Sequence, residues 1–366
     1  MSHVEQTNPY DALLVVSFGG PENVDDVRPF LENVTRGRGV PPERLDEVAK
    51  HYLDVGGRSP INDQCRDFIA AVRKDLDTHG VGLPVYWGNR NWHPFLGETV
   101  QQMAADGVKR AAVFVTSAYA SYSGCRQYRE NLFDAVAGAE QPPRLDKLRH
   151  YYNHPGFIEA FADSTCAALG QLPAETRAEA RLVFVTHSIP TAMAATSGPS
   201  GDAYVDQHLS VADVVAGEVA RRCGTPLRWD LAFCSRSGPP HVPWLEPDVN
   251  DHLETLAGSG TPSVVVVPIG FVSDHMEVVY DLDTEAAATA DKLGMDFARA
   301  AAPGSHPAFV ATVRDLLVER AAAESSGVDS VTRSALGVLG AAWDSCEARC
   351  CPNSRERRGA LCEVAA

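Results

Sequence analysis

Short apolar runs rich in β-branched residues recur along this chain, and helical stretches alternate with them. Residues 12–18 (ALLVVSF), 83–89, 110–117 (RAAVFVTS), 180–186, 227–233 and 264–267 (VVVV) read as strands, each bounded by turn residues. Residues 23–33, 96–106, 128–137, 156–169, 206–223 and 250–258 read as helices around them. Strands separated by helices must run parallel and carry helices on both faces, so the fold class is α/β. The stretch ALLVVSFGGP at residues 12–21 is answered by RLVFVTHSIP at 181–190, which points to two similar halves. We divide the chain into residues 10–175, residues 176–320, and a tail of 321–366 that begins with a Ser-rich, acidic linker at 323–333.

A chain of 366 residues with 45% hydrophobic residues can build two real cores. Its net charge of −16 argues against nucleic acid and anionic membrane surfaces as partners. No apolar run reaches the ~18 residues of a membrane span, and the polar start MSHVEQTNPYD lacks a signal-peptide pattern. A soluble, cytoplasmic protein with no integral membrane segment is expected.

Two stretches carry candidate chemistry. After the strand at 264–267 come Ser273, Asp274 and His275, then Glu277, Asp281 and Glu285 on a helical segment. Carboxylates four apart drift only ~40° from one to the next around a helix, so the three form a row. The spacing alone also describes a solvated acidic face. However, the row follows a buried strand end, where open α/β sheets place ligands, and it lacks interleaved Lys or Arg. A carboxylate row with a His at its mouth suits passing a hard divalent cation or accepting protons. The second stretch, VFVTHSIP, puts His187 just past a strand end. The chain has no dinucleotide fingerprint, P-loop, G-x-S-x-G or H-E-x-x-H.

The chain holds nine cysteines, and in a cytosolic protein they are not expected to pair as disulfides. Cys65, Cys125, Cys223 and Cys234 are scattered and read as buried, inert thiols. Cys346, Cys350, Cys351 and Cys362 instead crowd into WDSCEARCCPNSRERRGALC, which suits zinc or an iron–sulfur cluster. The C-x3-C-C spacing is not that of a zinc finger.

THSIP around His187 and GFVSDHMEVVYDLD around Glu277, supported by GGP, RGRGVP, GGRSPI, GNRNWHPF and SGPPHVPWLEPDV in that order, resemble the ferrochelatase family over residues 11–319. The resemblance implies two Rossmann-like, chelatase-type halves, each a parallel sheet flanked by helices, with a porphyrin cleft between them. It implies a lyase that inserts Fe2+ into a porphyrin in heme biosynthesis. His187 and Glu277 match the metal- and proton-handling pair, and Asp281 and Glu285 the acidic path. Arg36, Ser59 and Tyr128 match porphyrin contacts at the cleft mouth. Phe18 stands where many coproporphyrin-type relatives have a tyrosine able to ligate the inserted iron.

The tail resembles the actinobacterial, cluster-bearing type. That likeness implies a [2Fe–2S] cluster held by Cys166, Cys346, Cys350 and Cys351, with Cys362 in reserve. It also implies coproporphyrin III as the porphyrin, with protoporphyrin IX as the alternative. A sirohydrochlorin cobalt or nickel chelatase would be expected to show a second catalytic His or a His-rich segment. A non-enzymatic heme-binding protein or iron–sulfur sensor would not need the carboxylate row. The expected assembly is a monomer in transient contact with the next heme-pathway enzyme.

Overall fold

The apolar runs become the central strands of two parallel sheets in the computed structural model, which describes residues 7–37, 39–54, 56–347 and 349–362. Arg38 of the basic turn and Val55 of the glycine-rich loop lie outside the described residues. In chain order the first half comprises β1 (Ala12–Ser17), α1 (Val24–Val34), α2 (Pro42–Asp54), α3 (Ile61–Thr78), β2 (Val85–Asn89), α4 (Leu96–Ala105) and β3 (Arg110–Val115). A π-helical turn (Tyr122–Arg126), α5 (Gln127–Ala137), β4 (Arg144–Lys147) and α6 (Pro155–Leu169) complete it. Next come α7 (Ala174–Arg177), β5 (Arg181–His187), α8 (Thr191–Ala195), α9 (Ala203–Cys223), β6 (Trp229–Cys234), α10 (Val249–Gly258) and β7 (Ser263–Val267). The chain then runs through α11 (Met276–Val278), a π-helix (Val279–Ala286), α12 (Ala287–Leu293), β8 (Asp296–Arg299) and α13 (Pro307–Ser326).

The sheets have orders β2-β1-β3-β4 and β6-β5-β7-β8, the same order written twice. Their registers also agree. Leu13 pairs with Val85 and Ala112, and Leu182 pairs with Trp229 and Val265. All six residues of β1 and all five of β7 are buried, as expected where helices cover both faces of a parallel sheet.

Packing crosses the division drawn along the chain. α6 ends the first half in sequence, yet it packs against β7, β8 and α9; α13 packs against α6 and α3. The helices α6 and α13 meet at Gly156, where an added Cβ would overlap the carbonyl oxygen of Ala308. One continuous core therefore holds Leu13 and Phe114 together with Phe184, Val265 and Phe309. Residues 323–326, read from the sequence as linker, form the last turn of α13. Beyond it the tail is tied down, with Leu336 N–H donating to Asn153 O at 2.8 Å and Asn153 Nδ2 to Gly340 O at 2.6 Å.

Candidate functional site

His187 is the last residue of β5, held in register opposite Cys234 of β6. Its Nδ1–H donates to the carbonyl of Ser188, which leaves the Nε2 lone pair facing outward. Nε2 lies 3.7 Å from Glu277 Oε2. The His187 carbonyl accepts from the Tyr204 hydroxyl at 2.8 Å, and the Tyr204 hydroxyl oxygen lies 2.9 Å from Thr186 Oγ1. The imidazole is thus fixed through both its backbone and its inner nitrogen.

Glu277 opens the helical segment. The His275 side chain caps it, with Nδ1 accepting from Glu277 N–H at 3.2 Å. Burial holds the His275 imidazole below its ordinary pKa, so it serves as a neutral acceptor. The carboxylate row then runs onto the π-helix Val279–Ala286 rather than an α-helix. The i→i+5 pattern, frequent at functional sites, still leaves residues four apart nearly aligned. Asp281 is partly buried and accepts a hydrogen bond from Ser235 Oγ. Burial pushes its pKa up to about 7; the Ser235 hydroxyl opposes that shift and the Glu277 and Glu285 carboxylates add to it. Glu285 is exposed at the far end. The row therefore leads from solvent to the imidazole through a carboxyl able to take or give a proton near neutrality.

The first half faces this row. The His51 ring stacks on Tyr280 with centroids 4.2 Å apart, and the partly buried Tyr52 lies in the field of Glu277. Gln64 Oε1 accepts from Asp274 N–H at 2.8 Å. Phe18, 36% exposed, follows β1 and packs edge-on to Phe30. The Arg90 guanidinium lies over Phe18 at 5.6 Å and over Tyr128 at 4.4 Å.

Arg36, Ser59 and Tyr128, expected to offer donors at the cleft mouth, differ in exposure. Tyr128 is buried on α5 beneath Arg90, and Ser59 is buried beside Gly20 and Ile61. Only Arg36 is exposed. Arg90, which follows the strand end of β2 and was not singled out from sequence, is the cation beside Phe18.

The cysteines also depart from expectation. Cys125, in the π-helical turn after β3, is buried with Cys346, Cys350 and Cys351 in one cluster. The thiols of Cys125 and Cys350 donate toward Cys346, favouring its ionised form, and the Arg129 and Lys147 cations favour it further. The Cys351 sulfur lies 3.9 Å from that of Cys350 and accepts from Gly198 N–H at 3.1 Å. Cys351 adopts φ 51, the left-handed region. Such a conformation costs a β-carbon-bearing residue ~1–2 kcal/mol and lets adjacent thiols face one basin.

Cys166 does not join them. It sits on α6 with its sulfur 3.0 Å from that of Cys223; the body cysteine buried with the tail cysteines is Cys125. The reason is local: Cys125 lies in the π-helical turn before α5, against which the tail returns, while Cys166 faces α9. Cys223 is exposed rather than buried. Cys362 takes a separate place, its sulfur accepting from Lys147 N–H at 3.1 Å. Among the described residues no group of three or more His, Cys, Asp or Glu is drawn together as a metal-holding set; Cys125, Cys346, Cys350 and Cys351 are grouped only by packing. Among them, too, no helix is long and apolar enough to cross a membrane.

Two like-ordered parallel sheets, with an imidazole and a carboxylate row at the strand ends of the second, define a protein of chelatase type. A solved structure titled "SirB from Bacillus subtilis with Fe3+" has this fold, at a TM-score of 0.50 and 14% identity over 86% of this chain and 97% of that one. The family pattern described as Ferrochelatase matches residues 10–321, and the chain belongs to the ferrochelatase family. A protein of Streptomyces coelicolor named coproporphyrin III ferrochelatase is 56% identical over 98% of both chains. Proteins of the same name from Streptomyces griseus and Leifsonia xyli are 56% and 44% identical, over 96% of this chain in each case.

Proposed function

We propose that this ferrochelatase inserts Fe2+ into coproporphyrin III to give coproheme. The observation that carries the chemistry is the His187 Nε2 lone pair set 3.7 Å from Glu277 at the inner end of the carboxylate row. Insertion replaces two pyrrole N–H protons with one Fe2+, so the site must accept two protons and strip the ion of water. His187 takes a proton at Nε2, and Asp281, with its pKa near 7, passes protons outward. Glu285, Asp281 and Glu277 offer oxygen ligands in succession to the incoming ion. The porphyrin choice rests on the relatives' names and on charge. Four carboxylates call for cations such as Arg36 and Arg90, each charge-assisted bond contributing ~1.5–3 kcal/mol. Purified protein supplied with Fe2+ should metallate coproporphyrin III faster than protoporphyrin IX. The reverse preference would overturn the substrate, and no insertion into either would overturn the reaction.

The tail completes the reading: Cys125, Cys346, Cys350 and Cys351 hold a [2Fe–2S] cluster. Four buried thiols, with Cys346 and Cys351 both favoured as thiolates, beside Arg129 and Lys147, suit an anionic thiolate-bound group. When bound, the cluster supplies a one-electron redox centre. The protein's contribution is to anchor the tail against the turn after β3, since a site built from distant segments couples binding to folding. Cys125→Ser should abolish the visible absorption and the reduced-state EPR signal of the cluster, while Cys166→Ser keeps both. A colourless Cys166→Ser protein beside a coloured Cys125→Ser protein would restore Cys166 as the ligand.

A further inference from the structure

Cys166 and Cys223 belong neither to the proposed cluster nor to the cleft, yet their sulfurs are 3.0 Å apart. Cys166 is half-buried in α6, and Cys223 is exposed as the last residue of α9. These helices pack against each other. Gly224 follows in the left-handed conformation and closes α9, so the Cys223 side chain stands at a helix end, where the backbone frays. The neighbouring Arg222 guanidinium is held over this spot by Asp163 of α6 and by Glu218, its Nε 2.6 Å from Glu218 Oε1. Burial and the facing Cys223 thiol push the Cys166 thiol up to about 12, with Arg222 opposing that shift, so the exposed Cys223 is the thiol that an incoming disulfide meets first.

We propose that Cys166 and Cys223 form a reversible redox site, a dithiol that closes to a disulfide joining α6 to α9. A sulfur–sulfur bond is ~2.05 Å long, so closing the pair needs a movement of about 1 Å. The oxidant is a low-molecular-weight disulfide, RSSR. The exposed Cys223 thiolate attacks one sulfur of RSSR, forming a mixed disulfide and releasing RS−. The Cys166 thiolate then attacks the Cys223 sulfur, forming the Cys166–Cys223 bond and expelling the second RS−. In sum, two protein thiols and RSSR give one protein disulfide and two RSH. The bond closes a loop between positions 57 residues apart. It clamps α6, which rests on β7 and β8, to α9, whose first turn carries the Tyr204 that holds His187.

The test treats the full-length holoprotein with glutathione disulfide and maps its peptides by mass spectrometry without reduction. The wild type should yield a peptide pair linked through Cys166 and Cys223 that dithiothreitol separates, together with a rise in Tm. Cys166→Ser should stop at the mixed disulfide on Cys223, and Cys223→Ser should show neither product nor any rise in Tm. Cluster absorption, unchanged throughout, shows that the other thiols were spared. Wild-type protein that accumulates glutathione on Cys223 without linkage to Cys166, or leaves both thiols free, would overturn the proposal.

Discussion

Phe18 and His187 occupy the same place in the two halves. Each lies five residues beyond a matched anchor, Leu13 in β1 and Leu182 in β5, and both anchors pair in register with the two neighbouring strands. A duplicated scaffold thus presents two equivalent strand ends, one carrying an imidazole and the other a phenyl ring. The two strand ends differ in chemistry: the second half carries His187 and the carboxylate row, and the first carries Phe18 beneath the Arg90 guanidinium. Phe18→Tyr should keep iron insertion within a few-fold of the wild type while adding an oxygen at the strand end equivalent to that of His187. The oxidised, product-bound variant should then show a new phenolate-to-iron absorption band. A spectrum identical to the wild type's would mean that Phe18 does not face the metal.

His187→Ala should lower insertion by ~10²–10⁴-fold, the usual contribution of a general acid–base group, with Tm little changed because the ring is part-exposed at a strand end. Tyr204→Phe separates positioning from chemistry. It removes only the hydroxyl that bridges His187 O and Thr186 Oγ1. Losing a hydrogen bond of ~1 kcal/mol predicts a roughly five- to tenfold fall in kcat, with KM for porphyrin unmoved. A rise in KM alone would place the effect of Tyr204 on binding instead.

Asp281 makes stability depend on pH. Its pKa of about 7 in the fold lies above the ~3.9 of an unfolded chain. Between about pH 4 and pH 7 the folded state therefore binds more protons than the unfolded state, and stability falls as pH rises through that window. Asp281→Asn keeps an acceptor for Ser235 and removes the slope. The variant should match the wild type near pH 3 and exceed it at pH 8 by ~2–4 kcal/mol, while inserting iron more slowly. Urea unfolding of iron-free protein across this range checks the sign; a variant less stable than the wild type at pH 8 would refute it.

The parallel sheets were legible because β-branched runs such as residues 264–267 must be buried on both faces, and β1 and β7 are. Less of the helical cover was legible. α3 carries Ile61, Cys65, Phe68, Ile69, Val72 and Leu76 on its buried face, a helical period masked by the charged residues between them. β8 is too short and too polar, with Asp296 and Arg299 at its ends, to stand out from a loop. Within the site, His187 and the carboxylate row could be read because each follows a strand within one segment. Cys125 could not: its partners lie more than 200 positions away in sequence. The one available signal was its place in the connection between β3 and α5. The pairing of Cys166 with Cys223 was hidden for the same reason, since only the packing of α6 on α9 brings the two together.

That exchange of helices gives the last prediction. At Gly156 a Cβ would overlap the Ala308 carbonyl, a backbone atom that cannot swing aside. Gly156→Ala must push α13 from α6, and since α13 also packs on α3, the strain reaches the first half. The expected loss is ~1–3 kcal/mol, the usual cost of overpacking. It should appear as a lowered midpoint in a single cooperative transition, because one core runs through both sheets. Gly97→Ala supplies the contrast. It lies on α4 with open space around the added methyl, so the change should stabilise by up to ~1 kcal/mol through helix propensity alone. Denaturant unfolding followed by both fluorescence and circular dichroism distinguishes the cases. Two separate transitions in Gly156→Ala, with only one of them shifted, would show that the halves do not share a core.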